Sequence, residues 1–314
     1  MKHLVIDGHN MAYRAGYVHP TLHNKAGKST GVGYGMLKMI RTLLENNDPE
    51  DCIICWDVGS SKIREGIFPD YKANRKKSIF DPVLIQNIKG QIDELIEILP
   101  IFGIKQLKFM GLEADDLIGL LAKELKDVLV VSNDKDMFQL LDLGAEIYYP
   151  AKESFLNKEN FKNEFGDGLD ASQYLYFRTI TGDSSDGIPG LHKFGKVTAK
   201  KLILKHGPWI NWYNESNGEF TIKPEVLEGL NKGQKAHLET KEALLILCRN
   251  YELMEIGKIG ESVKDQILEE YYNQKPTFND QKIKKFFEEF EFNSYVNRFG
   301  WWIHPFRLLN RKES

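Results

Sequence analysis

In the first half of this chain short apolar runs alternate with amphipathic stretches, and several of the runs stop at a carboxylate. Residues 4–6 end at Asp7, residues 52–56 end at Asp57, and residues 128–131 lead into Asp134. Residues 36–44, 83–99 and 113–125 carry apolar side chains at helical spacing, while 104–109 and 145–149 read as further strands. Alternation of this kind predicts an α/β fold, a mainly parallel sheet covered by helices on both faces. Such sheets bind ligands beyond the carboxyl ends of their strands, which is where these acids fall.

Nine acidic residues form five clusters: Asp7; Asp57; Glu113, Asp115 and Asp116; Asp134 and Asp136; Asp183 and Asp186. One carboxylate after one strand is usually a turn residue or a helix N-cap. Five clusters converging on one sheet edge repel one another unless cations sit among them, and hard oxygen ligands select Mg²⁺ or Mn²⁺. The chemistry that follows most directly is two-metal phosphoryl transfer. Asp115 and Asp116 differ by about 100° around a helix, so one faces a metal and the other acts through water. Asp134 and Asp136 suit a bridging ligand beside one that binds a single metal. Asp183 and Asp186, three apart, share a face if they open a helix.

Directly after Asp186 a tight turn with Gly190 and Gly195 leads into a basic helix. Backbone N–H groups at a helix N-terminus hold phosphate without reading sequence. Residues 186–206 therefore read as a helix-hairpin-helix, with Gly190, Lys193, Gly195, Lys196, Thr198, Lys200 and Lys201 as candidate DNA contacts. In the segment FPDYKANRKK, Lys72 and Arg75 are placed to reach a scissile phosphate and Tyr71 to stack on a base. Charge alone fits a solvated loop there equally well.

At 314 residues, 42% of them hydrophobic and 28% charged, the chain has the composition of an ordinary soluble globular protein. The expected division is an α/β domain over 1–180, with a basic segment near 62–95, and a helical region over 181–314. Within that region 173–180, 197–206, 241–247 and 283–295 read as helices, and 209–223 as a loop. Ile283, Phe286 and Phe287 form the apolar face of an amphipathic helix. No apolar run is long enough for a membrane span. The chain enters a strand at once, so no secretory signal is expected and the cytoplasm is the expected compartment. A net charge of −3 carries no global sign of nucleic acid, and the three cysteines are expected in the core.

The segments VIDGHNMAYR, TGVGYGMLKMI, Trp56-Asp57, YKANR, GLEADDLIG, SNDKDMFQLL and TGDSSDGIPGLHKFGKVTA occur in an order that resembles the 5′-nuclease, or flap endonuclease, family. The likeness extends over roughly the first two-thirds of the chain. It is greatest to the phage 5′→3′ exonucleases of the RNase H type and to the N-terminal nuclease domain of bacterial DNA polymerase I. The resemblance implies a PIN-like α/β domain with a helix-three-turn-helix element. Its expected activity is 5′→3′ exonuclease and structure-specific 5′-flap endonuclease on DNA in replication or repair, with RNA primers in RNA/DNA hybrids as further substrates.

By motif position, Asp7, Asp57, Glu113, Asp115, Asp116 and Asp134 would form a first metal site. Asp134, Asp136, Asp183 and Asp186 would form a second, with Mg²⁺ in both and Mn²⁺ able to substitute. Lys72 and Arg75 match the positions that steer the phosphate. Implied partners are DNA with 5′ ends, flaps or nicks and, by analogy, a single-stranded-DNA-binding protein. The family's turn also implies K⁺, but glycine is usual there where this chain has Lys193, which counts against it. The chain ends where a fused polymerase would begin, so no polymerase activity is expected. A PIN-type ribonuclease and a catalytically inactive, structure-specific DNA-binding protein are the alternatives.

Overall fold

β-Branched and aliphatic runs too short for helices extend as strands when turn residues bound them. The computed structural model describes residues 2–73, 81–216 and 219–311, so Arg75, Lys76 and Lys77 lie outside the described residues. Strands β1 (His3–Asp7), β2 (Asp51–Trp56), β3 (Lys105–Lys108), β4 (Val128–Val131), β5 (Glu146–Tyr149) and β6 (Ser154–Leu156) form the main sheet. Their order is β3-β2-β1-β4-β5-β6, parallel throughout except for the antiparallel β5–β6 pair. The strand order reverses between β1 and β4, which opens a crevice at their carboxyl ends.

The helices of the sheet region are α1 (Gly8–Val18), α2 (Gly31–Asn47), α3 (Lys62–Ile67), α4 (Pro82–Ile98), α5 (Ala114–Glu124) and α6 (Phe161–Glu164). They are followed by α7 (Ala171–Thr181) and α8 (Lys196–His206). Alternate strand residues face opposite sides. Leu4, Ile6, Ile54 and Trp56 join one apolar core with α1, α2 and α4. Val5, Ile53 and Cys55 join a second core with α5 and the 3₁₀ segment Lys135–Leu143. Helices on both faces agree with the expected fold class.

Four details differ from the sequence reading. Residues 209–223 hold a hairpin of Tyr213–Ser216 with Glu219–Ile222, and not a loop. Most of its side chains are exposed, so it lacks the apolar alternation that marks a half-buried strand. The helix read over 283–295 is broken into Asp280–Glu289 and Asn293–Val296, with Glu291 in the left-handed region at φ 55° between them. Cys52 and Cys55 are buried as expected, but Cys248 is exposed on its helix. Finally, residues 181–314 are not one packing unit. Ile180, Leu202, Trp212 and Leu247 build a third core around α7 and α8, whereas Phe287, Trp302 and Phe306 return to the core of Leu4 and Ile54. Ile283, Phe286 and Phe287 are buried there, as their spacing indicates. Among the described residues no helix is long and apolar enough to cross a membrane.

Phe287 is fully buried against Phe102, Tyr295 and Trp302. Phe287→Ala should therefore cost about 3–5 kcal/mol of stability in guanidinium unfolding, the usual loss for a large aromatic in a sealed core. A loss too small to measure would show that the C-terminal helices do not support the sheet.

Candidate active site

Asp7 ends β1 and caps α1. Its carboxylate accepts from the Asn10 backbone N–H at 3.1 Å and from the Ser132 hydroxyl at 2.8 Å. The following Gly8 is required because a β-carbon there would lie 2.4 Å from the Trp56 ring, so only glycine lets α1 start against β2. Asp57 follows β2 and accepts from the backbone N–H of Ala114, the first residue of α5, at 2.8 Å. Its other oxygen lies 3.3 Å from His9 Nδ1. Asp115 sits in the first turn of α5, where acids are favoured by the helix dipole. Ser132, fully buried after β4, accepts from the Asp134 backbone N–H at 2.9 Å and so ties that loop to Asp7.

These placements bring Asp7, Asp57, Asp115 and Asp134 together at the crevice. Burial, and then the charges of Asp57 and Asp134, push the Asp7 carboxyl up to about 7. Burial and the charges of Asp134, Asp7 and Asp57 raise Asp115 well above the usual carboxylate range. Crowded carboxylates of this kind fit a hard divalent cation, whose charge would favour the ionised forms that burial and repulsion oppose.

Asp116 stands apart from that group. Both its oxygens accept from the Arg64 guanidinium, at 2.7 and 2.8 Å, in a buried bidentate pair. The roughly 100° step from Asp115 explains the division. Arg64, which falls within the basic segment near 62–95, is buried and also donates to Glu113 at 3.2 Å and to the Leu253 carbonyl at 2.9 Å. Tyr71 needs a second correction. Its ring is buried, and its hydroxyl donates to Glu113 at 2.9 Å and contacts Asp186 at 3.3 Å, which leaves no face for a base. Lys72 beside it adopts φ 57°, its N–H donates to the Asp186 carbonyl at 2.8 Å, and its ammonium reaches Glu113 at 2.6 Å. Lys72 therefore faces the acidic group.

Asp136, Asp183 and Asp186 form a second group, with one oxygen from each lying within 4.8 Å of the others. Asp183 and Asp186 do not open a helix. Asp183 ends the first strand of a two-residue ladder between Gly182–Asp183 and Ile188–Pro189, and Asp186 lies in the loop that this ladder closes. A β-carbon on Gly182, at φ 71°, would lie 2.3 Å from the Gly190 nitrogen, so the closure needs glycine. Arg178 of α7 enters this group, pairing with Asp136 at 2.9 Å and also with Asp183. Burial pushes Asp136 up to about 7 against the pull of Arg178, with Asp134, Asp183 and Asp186 adding to the rise. Burial would raise Asp183 too, but the Ser185 hydrogen bonds and Arg178 hold it below the usual range. Asp134 adds repulsion to Asp7, Asp115 and Asp136, and so acts on both groups.

The hairpin follows. Gly195 is the N-cap of α8 without a side-chain cap. Lys193, Lys196 and Lys201 are exposed and Thr198 is half-buried, while the Lys200 ammonium pairs with Asp167. Gly190 packs against the Ile180 and Thr181 backbone, so its role is close approach within the hairpin. A cavity of about 500 Å³ separates Arg178 and Asp183 from Gly195, Lys196 and Lys200.

Ser132, Arg178, Asn10 and His9 escape the sequence reading. The Asn10 side chain accepts from Asn133 at 3.1 Å, joining α1 to the loop after β4. Arg178 leaves a faint signal, as the only basic residue between Lys162 and Asp183.

A family model described as the 5′-3′ exonuclease N-terminal resolvase-like domain matches residues 2–166. The 5′-3′ exonuclease of Buchnera aphidicola subsp. Acyrthosiphon pisum (strain APS) is 32% identical over 292 residues, 90% of this chain and 96% of that protein. In fold, T5 5′-exonuclease, whose structure carries zinc, superposes with a TM-score of 0.68 at 19% identity, covering 87% of this chain and 98% of that one. Flap endonuclease-1 from Methanococcus jannaschii does so with a TM-score of 0.58 at 16% identity, covering 100% and 94%. The chain belongs to the 5′-3′ exonuclease family.

Proposed function

We propose that this protein hydrolyses DNA phosphodiesters at 5′ ends, nicks and 5′ flaps, using Mg²⁺ held by its two acidic groups. The observation that carries this reading is the convergence of Asp7, Asp57, Asp115 and Asp134 in one crevice with Lys72 facing them. Bound divalent ions would supply a water of lowered pKa and positive charge for the leaving 3′-oxygen.

The remaining work falls to the chain itself. Asp7, Asp57, Asp115 and Asp134 are the proposed ligands of the first ion. Asp134, Asp136, Asp183 and Asp186 are those of the second, with Asp134 common to both. Arg178 offsets part of the charge in the second group, which makes that group less dependent on its ion. Glu113 orients Lys72 and Tyr71, and Asp116 locks Arg64 beneath them. Lys72, with Arg75, steers the scissile phosphate. The hairpin of residues 186–206 holds duplex backbone through the α8 N-terminus and its lysines. RNA/DNA hybrids are included as substrates, and a single-stranded-DNA-binding protein as a partner.

The deciding assay compares a 5′ flap, a nicked duplex and single-stranded RNA, in Mg²⁺ and in EDTA. Cleavage of both DNA substrates in Mg²⁺ alone is expected. Cleavage of RNA only would leave a ribonuclease, and binding without cleavage an inactive DNA-binding protein.

Asp134→Asn should abolish turnover while preserving substrate binding, since it removes the charge common to both groups. Lys72→Ala should lower single-turnover cleavage by about 10²–10³, the usual loss of one positioned electrostatic donor, with a far smaller change in binding. Wild-type cleavage rates in either variant would sink its assigned role.

Acidity provides a test independent of cleavage. Asp7 and Asp136, both raised from 3.8 to about 7, keep protons in the folded protein that the unfolded chain has already lost. Their contribution therefore lowers metal-free stability as pH rises across that window. Added Mg²⁺ should raise Tm more at about pH 8 than at about pH 5. Equal shifts at the two values would place Mg²⁺ binding elsewhere.

A further inference from the structure

The turn from Pro189 to Gly195 is where family resemblance would put K⁺. Backbone carbonyl oxygens hold that ion by replacing its water shell, which requires several of them to be turned toward one point. Here alternate carbonyls of the turn already have protein donors. The Pro189 carbonyl accepts from Asn250 Nδ2 at 2.8 Å, the Leu191 carbonyl from the Phe194 N–H at 3.1 Å, and the Lys193 carbonyl from Gln234 Nε2 at 3.0 Å.

The two side-chain donors are fixed from separate elements. Asn250, fully buried on the helix Lys241–Met254, also donates to the Thr179 carbonyl at 2.9 Å, and its own oxygen accepts from Arg249 at 2.9 Å. Gln234 is the third residue of the helix Lys232–Leu238 and exchanges capping hydrogen bonds with Asn231 at 3.0 and 3.1 Å. Lys193 adopts the left-handed conformation at φ 67°, where glycine would be unstrained, and its side chain is exposed. Its ammonium runs past Gly233, where a β-carbon would approach it to 3.0 Å.

We infer that Asn250 and Gln234 brace this turn in place of a bound monovalent cation, and that Lys193 supplies the positive charge presented to the DNA backbone. The inference rests on the proposed duplex grip of residues 186–206. Asn250 and Gln234 are positioning residues, acting on DNA only through the turn. A grip built this way responds to total ionic strength through its lysines but not to which monovalent cation is present.

The test measures Kd for a labelled nicked duplex by fluorescence anisotropy, with EDTA present to stop cleavage. KCl, NaCl and choline chloride are compared at matched ionic strength. The wild-type protein should give Kd values agreeing within about twofold in the three salts, and a tightening of about tenfold in KCl would overturn the inference. Lys193→Ala should weaken binding equally in all three and lower the salt slope by about one unit. Gln234→Leu, which keeps bulk but removes the amide donor, should make binding tighter in KCl than in choline, a response that a purely structural role would not produce. An unchanged affinity in Lys193→Ala, while a Lys196→Ala/Lys201→Ala double variant binds weakly, would overturn the assignment of Lys193 alone. Unchanged binding in all of these variants would overturn the duplex grip itself.

Discussion

Parallel strands that end level with one another bring the residues at and just beyond their ends close together, and in this protein several of those residues are anions. The repulsion among Asp7, Asp57, Asp115 and Asp134 in a partly desolvated crevice is the constraint around which the surrounding structure is arranged. Burial opposes the charged form of each acid, and each neighbour adds to the cost. Such a group persists because apolar packing elsewhere holds it. Two cores on the sheet's faces and a third around the hairpin supply that packing.

The chain offsets the charge in graded fashion. Asp116 is neutralised by a buried guanidinium with both oxygens engaged, and this pair anchors α3 to α5. Buried ion pairs of this type add little net stability but are costly to break on one side, so they fix geometry. The second acidic group has Arg178 as a partial counter-charge. Among the described residues, the first group has the Lys72 ammonium near it, paired with Glu113 and lowering Asp115 against its acidic neighbours, and the His9 ring beside Asp57. Among the described residues, the least compensated anions thus lie where the proposed metal ions would be held, and the better compensated ones lie around them.

Lys72 and the hairpin are coupled through Asp186. That residue's backbone carbonyl receives the Lys72 N–H, and its carboxylate meets the Tyr71 hydroxyl. Asp186 also begins the segment that runs through the two-residue ladder into the turn before α8. The segment proposed to steer phosphate and the segment proposed to hold duplex are therefore registered against one residue of the second acidic group. A shift in the hairpin would be felt at Lys72 through two hydrogen bonds.

The sequence by itself determined the α/β class, the strand ends that carry acids, and the family. Period-2 and period-3.6 patterns and the residues at element boundaries are local properties, so Asp7, Asp57, Asp115, Asp134 and the amphipathic face of Ile283, Phe286 and Phe287 were legible in it. Tertiary structure decided which of two adjacent acids faces the crevice, because the Arg64 that captures Asp116 comes from 52 residues earlier. It also decided that Tyr71 is buried against Glu113, that Arg178 enters the second acidic group, and that the C-terminal helices return to the first sheet face. The bracing of the hairpin turn by Asn250, distant by 61 residues from Pro189, has no local signature either. Partners brought together by the folding of distant segments leave no periodicity to read, and only their packing selects them.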